Sequence, residues 1–123
     1  MIADANEILP RLWVGPAASC DAAPPDVVCI CVLEAAHSNR CHHMRILADD
    51  GKTDADRINS AIDMINANWP QHVVLVHCGG GQERSPLAVV HWLMRSFNLS
   101  LDEAYTWLIK QRPVAQDRRS WIR

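Results

Sequence analysis

Apolar residues in this chain alternate between short unbroken runs and stretches in which they recur every three or four positions. Val27 to Leu33 (VVCICVL) and Val73 to Val76 are continuous and rich in β-branched residues, the pattern of strands buried on both faces. Ile8 to Val14 reads as a further strand that ends at the breaker pair Gly15-Pro16, and Met44 to Leu47 as a shorter one. The alanine-rich stretch from Ala17 to Pro25 predicts a short helix before a turn at Pro24-Pro25. Behind a cap at Thr53, residues Ile58, Ala61, Ile62 and Ile65 recur at helical spacing up to Trp69-Pro70. Pro86 suits the first turn of a helix whose apolar stripe is Val90, Leu93, Met94 and Phe97. Ser100-Leu101-Asp102-Glu103 is a capping box, Ala104, Tyr105, Leu108 and Ile109 follow on one face, and Arg112-Pro113 ends that helix. Strands and helices alternate, which predicts an α/β domain: a mainly parallel central sheet flanked by helices, with residues 1–123 in a single unit.

Composition narrows the function classes. The 123 residues are 49% apolar and 21% charged, too apolar for a disordered chain. A formal net charge of −2 argues against nucleic-acid binding by bulk charge. The longest apolar run, Val27 to Leu33, is far short of a membrane span, and Met1-Ile2-Ala3-Asp4 lacks the basic and apolar regions of a signal peptide. Five cysteines are an odd number, so the expected setting is a reducing cytoplasm with free thiols. Cys29 and Cys31 read as small buried hydrophobes. There is no Cys-x-x-Cys pair, and the neighbours Cys41, His42 and His43 are poorly placed to converge on one ion, so no metal is expected. The five tryptophans read mostly as core, and the basic tail (Lys110, Arg112, Arg118, Arg119 and Arg123 against Asp117) as solvated surface.

Only five glycines occur, and three of them are consecutive. The apolar strand runs into His77-Cys78-Gly79-Gly80-Gly81-Gln82-Glu83-Arg84-Ser85-Pro86, and a helix follows at once. Such a loop lies at the carboxyl end of a strand, where open α/β sheets place ligands. The helix behind it offers unpaired N–H groups and a positive dipole end to an anion. Gly79, Gly80 and Gly81 let successive N–H groups turn inward around a tetrahedral anion, and Arg84 can grip two of its oxygens. The same field lowers the pKa of Cys78, making it a thiolate nucleophile at the floor of an anion site. A structural cysteine would need neither three glycines nor an arginine six positions on.

At these residues the sequence resembles the cysteine-dependent protein tyrosine phosphatase superfamily, and within it the small (atypical) dual-specificity phosphatases. The signature of that family is His-Cys, two residues, Gly, two residues, Arg, then Ser or Thr, and His77, Cys78, Gly81, Arg84 and Ser85 fill every fixed position. The resemblance continues through Ile8-Leu9-Pro10, Leu12-Trp13-Val14-Gly15, His91-Trp92-Leu93-Met94, Ser100-Leu101-Asp102-Glu103-Ala104 and Arg112-Pro113-Val114. It implies a general acid on an Asp-Gly loop ahead of a helix. Asp50-Gly51 fits that pattern, with Asp49 next in line and Asp54 and Asp56 further along. Ser85 would give its hydroxyl to the sulfur, and His77 would order the loop. Gln82 reads as a solvated side chain on the loop, with positioning of water the other possibility. The substrate would be a phosphorylated protein or peptide, with phosphate or vanadate as inhibitors and no cofactor. Two departures stand out: Glu83 precedes the arginine where the family more often has a small or neutral residue, and the loop has no lysine. Both argue against a polyphosphorylated lipid or an RNA 5′ end. Competing readings are a rhodanese-like domain, which does not predict the Ser85-Pro86 helix start, and a non-catalytic phosphopeptide-binding module of the same fold. Relatives of the latter kind usually lack the cysteine, the arginine or the acid.

Overall fold

The computed structural model describes residues 1–123. Its five-stranded sheet has the order β1-β2-β5-β3-β4, built from β1 (Asn6–Leu9), β2 (Leu12–Pro16), β3 (Val28–Cys31), β4 (His42–His43) and β5 (Val74–Cys78). Every pairing is parallel except β1 with β2. The α/β architecture therefore holds, with one antiparallel edge. Strand β5 runs between β2 and β3, in register with Leu12–Pro16 on one side and Val28–Cys31 on the other. All five of its residues are buried, as the continuous apolar run requires.

Helices α1 (Ala17–Ala22), α2 (Ala55–Asn68), α3 (Arg84–Phe97) and α4 (Leu101–Gln111) complete the fold. The larger core cluster joins Val74, Val76 and Cys78 of β5 to Ile58, Ile62 and Ile65 of α2, Leu87, Val90 and Leu93 of α3, and Leu108 of α4. A smaller cluster unites Leu75 with Cys29 of β3 and Cys20 of α1. Alternation along β5 thus sends Val74, Val76 and Cys78 one way and Leu75 and His77 the other. No helix is long and apolar enough to cross a membrane.

Three expected elements differ from those observed. The stretch Ile8 to Val14 is two strands of a hairpin, not one strand. Pro10 cannot donate to a ladder and Arg11 takes φ +72°, so the chain reverses there, with the Arg11 N–H donating to Glu7 Oε2 at 3.1 Å. Met44 to Leu47 belongs to no strand: the short strand β4 lies just before it, at His42–His43, and pairing ends where β3 stops at Cys31, whose carbonyl accepts from the Met44 N–H. The cap of α2 is Asp54, which accepts from the Arg57 N–H at 3.1 Å, whereas Thr53 is buried in a bridge to Ile122. The Ser100–Glu103 capping box is present as expected. Of the tryptophans, only Trp92 is fully buried, its ring edge-on to Trp69 and Phe97, and its indole N–H donates to Asn66.

Candidate active site

Strand β5 delivers Cys78 to the point where the central strand gives way to helix α3. The five residues between, Gly79 to Glu83, form a tight loop. Glu83 precedes the helix without capping it through its side chain. Gly79, Gly80 and Gln82 are exposed at the loop's rim, while Cys78, Gly81 and Ser85 are buried. Gly81 has no substitute: its φ is +67°, and a Cβ there would lie 2.4 Å from the Gly15 carbonyl carbon.

The Cys78 sulfur lies 3.3 Å from Ser85 Oγ. Burial alone would push this thiol up. Hydrogen bonds from the Ser85 hydroxyl and from the N–H groups of Ser85, Gly81 and Glu83 outweigh that, and its pKa falls below the ordinary thiol value. His77, wholly buried, is kept neutral by desolvation. Its Nδ1 faces the Cys78 carbonyl at 3.4 Å.

Arg84 opens α3 and donates to Glu34 Oε2 at 2.6 Å. Burial opposes charge on Glu34, but its own backbone N–H and Arg84 hold the carboxyl below the usual range. Glu34 follows the apolar run that contains β3, so two neighbouring parallel strands bring acid and arginine together at their carboxyl ends. Its position directly after that run was the available signal in the sequence.

Arg112 overturns part of the reading of the basic tail as solvated surface. It is 4% exposed, and it donates to the Gly81 carbonyl at 2.7 Å, the Gly80 carbonyl at 3.3 Å, the Asp4 carbonyl at 3.0 Å and Asn6 Oδ1 at 2.7 Å. These bonds hold the glycine loop from behind. Arg118 bonds Glu83 at 2.7 Å, and the Gln116 N–H donates to the Gln82 carbonyl at 2.7 Å. Glu83 is thus paired through its carboxylate.

Asp50 makes no hydrogen bond to this cluster. It is exposed on the turn before Gly51, accepts from the Lys52 N–H at 3.0 Å and pairs with Arg123. Arg123 and the Lys52 N–H keep its carboxyl below the usual range. Asp49 is more exposed still and bonds only Arg45, at 2.6 Å. The structure therefore brings Cys78, Gly81, Arg84 and Ser85 together and leaves both aspartates on a separate loop.

A strand, a glycine turn and a helix joined in this way around a buried thiol are the architecture of the cysteine-dependent phosphatases. Within that class the chain belongs to the dual specificity phosphatases: the family described as "Dual specificity phosphatase, catalytic domain" matches residues 23–123. Human dual specificity protein phosphatase 14 is 39% identical over 57 residues, which are 46% of this chain and 29% of that protein. The matched segment is thus under a third of that relative's length. Among solved structures, Tk-PTP in its active form superposes with a TM-score of 0.78 at 26% identity, covering 98% of this chain and 92% of that one. Human DUSP28 gives 0.76 at 22% identity, over 98% and 89%, a likeness that speaks to fold alone.

Proposed function

We propose that this protein hydrolyses phosphomonoesters of phosphorylated proteins, on tyrosine and on serine or threonine, through a phosphocysteine at Cys78. The observation that carries the reading is the Cys78 sulfur, buried 3.3 Å from the Ser85 hydroxyl with backbone N–H groups directed at it and its pKa held down. A thiolate so placed is a nucleophile at the floor of an anion cradle. It attacks phosphorus, the phosphorus–oxygen bond to the leaving group breaks, and the leaving oxygen takes a proton from Asp50. The N–H groups of Gly79 to Arg84 and the Arg84 guanidinium hold the equatorial oxygens, which is catalysis by positioning and electrostatics. Arg84 must exchange Glu34 for phosphate to do so, and Glu34 keeps it oriented until then. Water assisted by Asp50 then cleaves the sulfur–phosphorus bond, and Ser85 gives its hydroxyl to the departing sulfur. His77 orders the loop through the Cys78 carbonyl.

The test is phosphate release from an aryl phosphate and from matched phosphotyrosine, phosphoserine and phosphothreonine peptides, with vanadate competing. An acid quench should trap one phosphoryl group on the peptide that carries Cys78. Saturable peptide binding with no release would instead establish a binding module.

Ser85→Ala checks the thiolate. Removing the hydroxyl raises the Cys78 pKa, so the acid limb of kcat/KM should move to higher pH than in the wild type on the same substrate. An unmoved limb would remove Ser85 from the scheme.

The acid is checked by leaving-group dependence. Asp50→Ala should slow a poor leaving group by roughly 10²–10⁴-fold and barely affect a good one. If Asp49→Ala behaves this way, the assignment is off by one residue. Because Arg123 lowers the Asp50 pKa, Arg123→Ala should shift the alkaline limb for the poor leaving group to higher pH.

A further inference from the structure

The face of β5 opposite the nucleophile carries a second cluster, of which the phosphatase reading uses only His77, and that through its other ring nitrogen. Cys20 of α1, Cys41 just before β4, and His77 of β5 converge there, with one potential ligand atom from each within 4.8 Å of the others. The Cys20 and Cys41 sulfurs are 3.4 Å apart, and the Cys41 sulfur is 3.2 Å from His77 Nε2. Tetrahedral zinc with sulfur at about 2.3 Å and nitrogen at about 2.0 Å sets neighbouring ligands about 3.5–3.8 Å apart, so the Cys20–Cys41 and Cys41–His77 pairs need to open by only a few tenths of an ångström.

The histidine is presented correctly. Its Nδ1 faces the Cys78 carbonyl at 3.4 Å, and an N–H there leaves the Nε2 lone pair directed at the Cys41 sulfur. Backbone carbonyls commonly orient a metal-binding imidazole in this way. The elements are also fastened to one another. Arg40, next to Cys41, donates to the carbonyls of Cys20 at 2.9 Å, Ala23 at 2.7 Å and Val27 at 3.1 Å, and also to that of Pro24. One side chain thus ties the segment bearing Cys41 to the end of the helix bearing Cys20, so little ordering is left for binding to do. Cys20 and His77 are fully buried and Cys41 is half-buried, which gives an ion a route in from the Cys41 side.

The geometry points to a Cys20–Cys41–His77 site for a thiophilic divalent cation, Zn²⁺, on the back of the strand that bears Cys78. Binding replaces the two S–H protons, which pass to the buffer. Two thiolates and one neutral imidazole then balance the ion's charge, as a buried position demands. A fourth coordination position remains for a small ligand. The ion would fix the His77 ring and, through it, the Cys78 carbonyl.

Reduced, chelator-treated protein titrated with Co²⁺ tests this without any turnover measurement. Expected are one ion per chain, a near-ultraviolet thiolate-to-cobalt band, visible bands of tetrahedral intensity, and displacement of all of these by Zn²⁺. Cys41→Ala, at a half-buried position, should abolish the thiolate band and weaken Zn²⁺ by at least about 100-fold, beyond the usual cost of losing a supporting residue. Cys78→Ser should retain both. Zn²⁺ should raise the melting temperature of the wild type but not of Cys41→Ala. If no thiolate band forms, the site does not exist. If the band survives Cys41→Ala or disappears with Cys78→Ser, the ion binds elsewhere.

Discussion

Cys78→Ser is expected to lower turnover of an aryl phosphate by roughly 10³-fold or more while phosphate and vanadate still bind. Serine keeps the shape of the side chain, but its hydroxyl is not ionised by the N–H groups and the Ser85 hydroxyl that suffice for a thiol. Losing a nucleophile removes the function of the residues that serve it, so the effect is of the size seen when a whole catalytic unit is deleted. The anion cradle belongs to other atoms: the N–H groups of the loop and the guanidinium of Arg84. Removing the buried negative charge also removes a repulsion toward any bound oxyanion. Calorimetric titration with vanadate, set beside steady-state release, separates the two effects. Turnover retained in this variant would dismiss the phosphocysteine mechanism outright.

Gly81→Ala is expected to damage both stability and chemistry. Its backbone sits at φ +67°, a region that costs an L-residue about 1–2 kcal/mol. The added Cβ would meet the Gly15 carbonyl carbon at 2.4 Å, its oxygen at 2.6 Å and Arg112 Nη2 at 2.8 Å. The first two are backbone atoms of β2, so they cannot swing aside as the end of a side chain can. The loop must move, and it takes with it the Gly81 N–H that faces the sulfur and the carbonyl that Arg112 holds. A displacement of about 1 Å at a reacting centre can cost roughly 10²-fold in rate. Thermal melting and kcat/KM read the two effects separately. A Gly81→Ala protein with wild-type kcat/KM would mean that the loop need not hold this shape.

Much of the candidate site is legible in the sequence because it is local. Cys78, Gly81, Arg84 and Ser85 fall within eight residues, and the strand, turn and helix that shape them are consecutive in the chain. What escaped is what strand order creates. Glu34 reaches Arg84 only because β3 pairs with β5, and Arg112 reaches Gly80 and Gly81 only because α4 ends behind the loop. In the sequence Arg112 stands in a family-like Arg-Pro-Val segment and among the charges of a basic tail, and nothing local marks it as buried against the loop. The convergence of Cys20, Cys41 and His77 is hidden for the same reason. The hairpin at Pro10-Arg11 was obscured by an apolar pattern that continues across it. The Asp50 pairing was hidden because its partner, Arg123, lies 73 positions away.

The segment from Gln116 to Arg123 touches both loops. It binds Gln82 and Glu83 at one end, and at the other it binds Asp50, Lys52 and Thr53. Hydrogen exchange should therefore show the amides of Thr53, Gln116 and Arg123 opening as one cooperative unit, since releasing the strap frees all three. The glycine loop and the Asp50 loop, distant in the chain, would then share one local unfolding free energy, and a protease that cuts within this strap would uncouple them in one event.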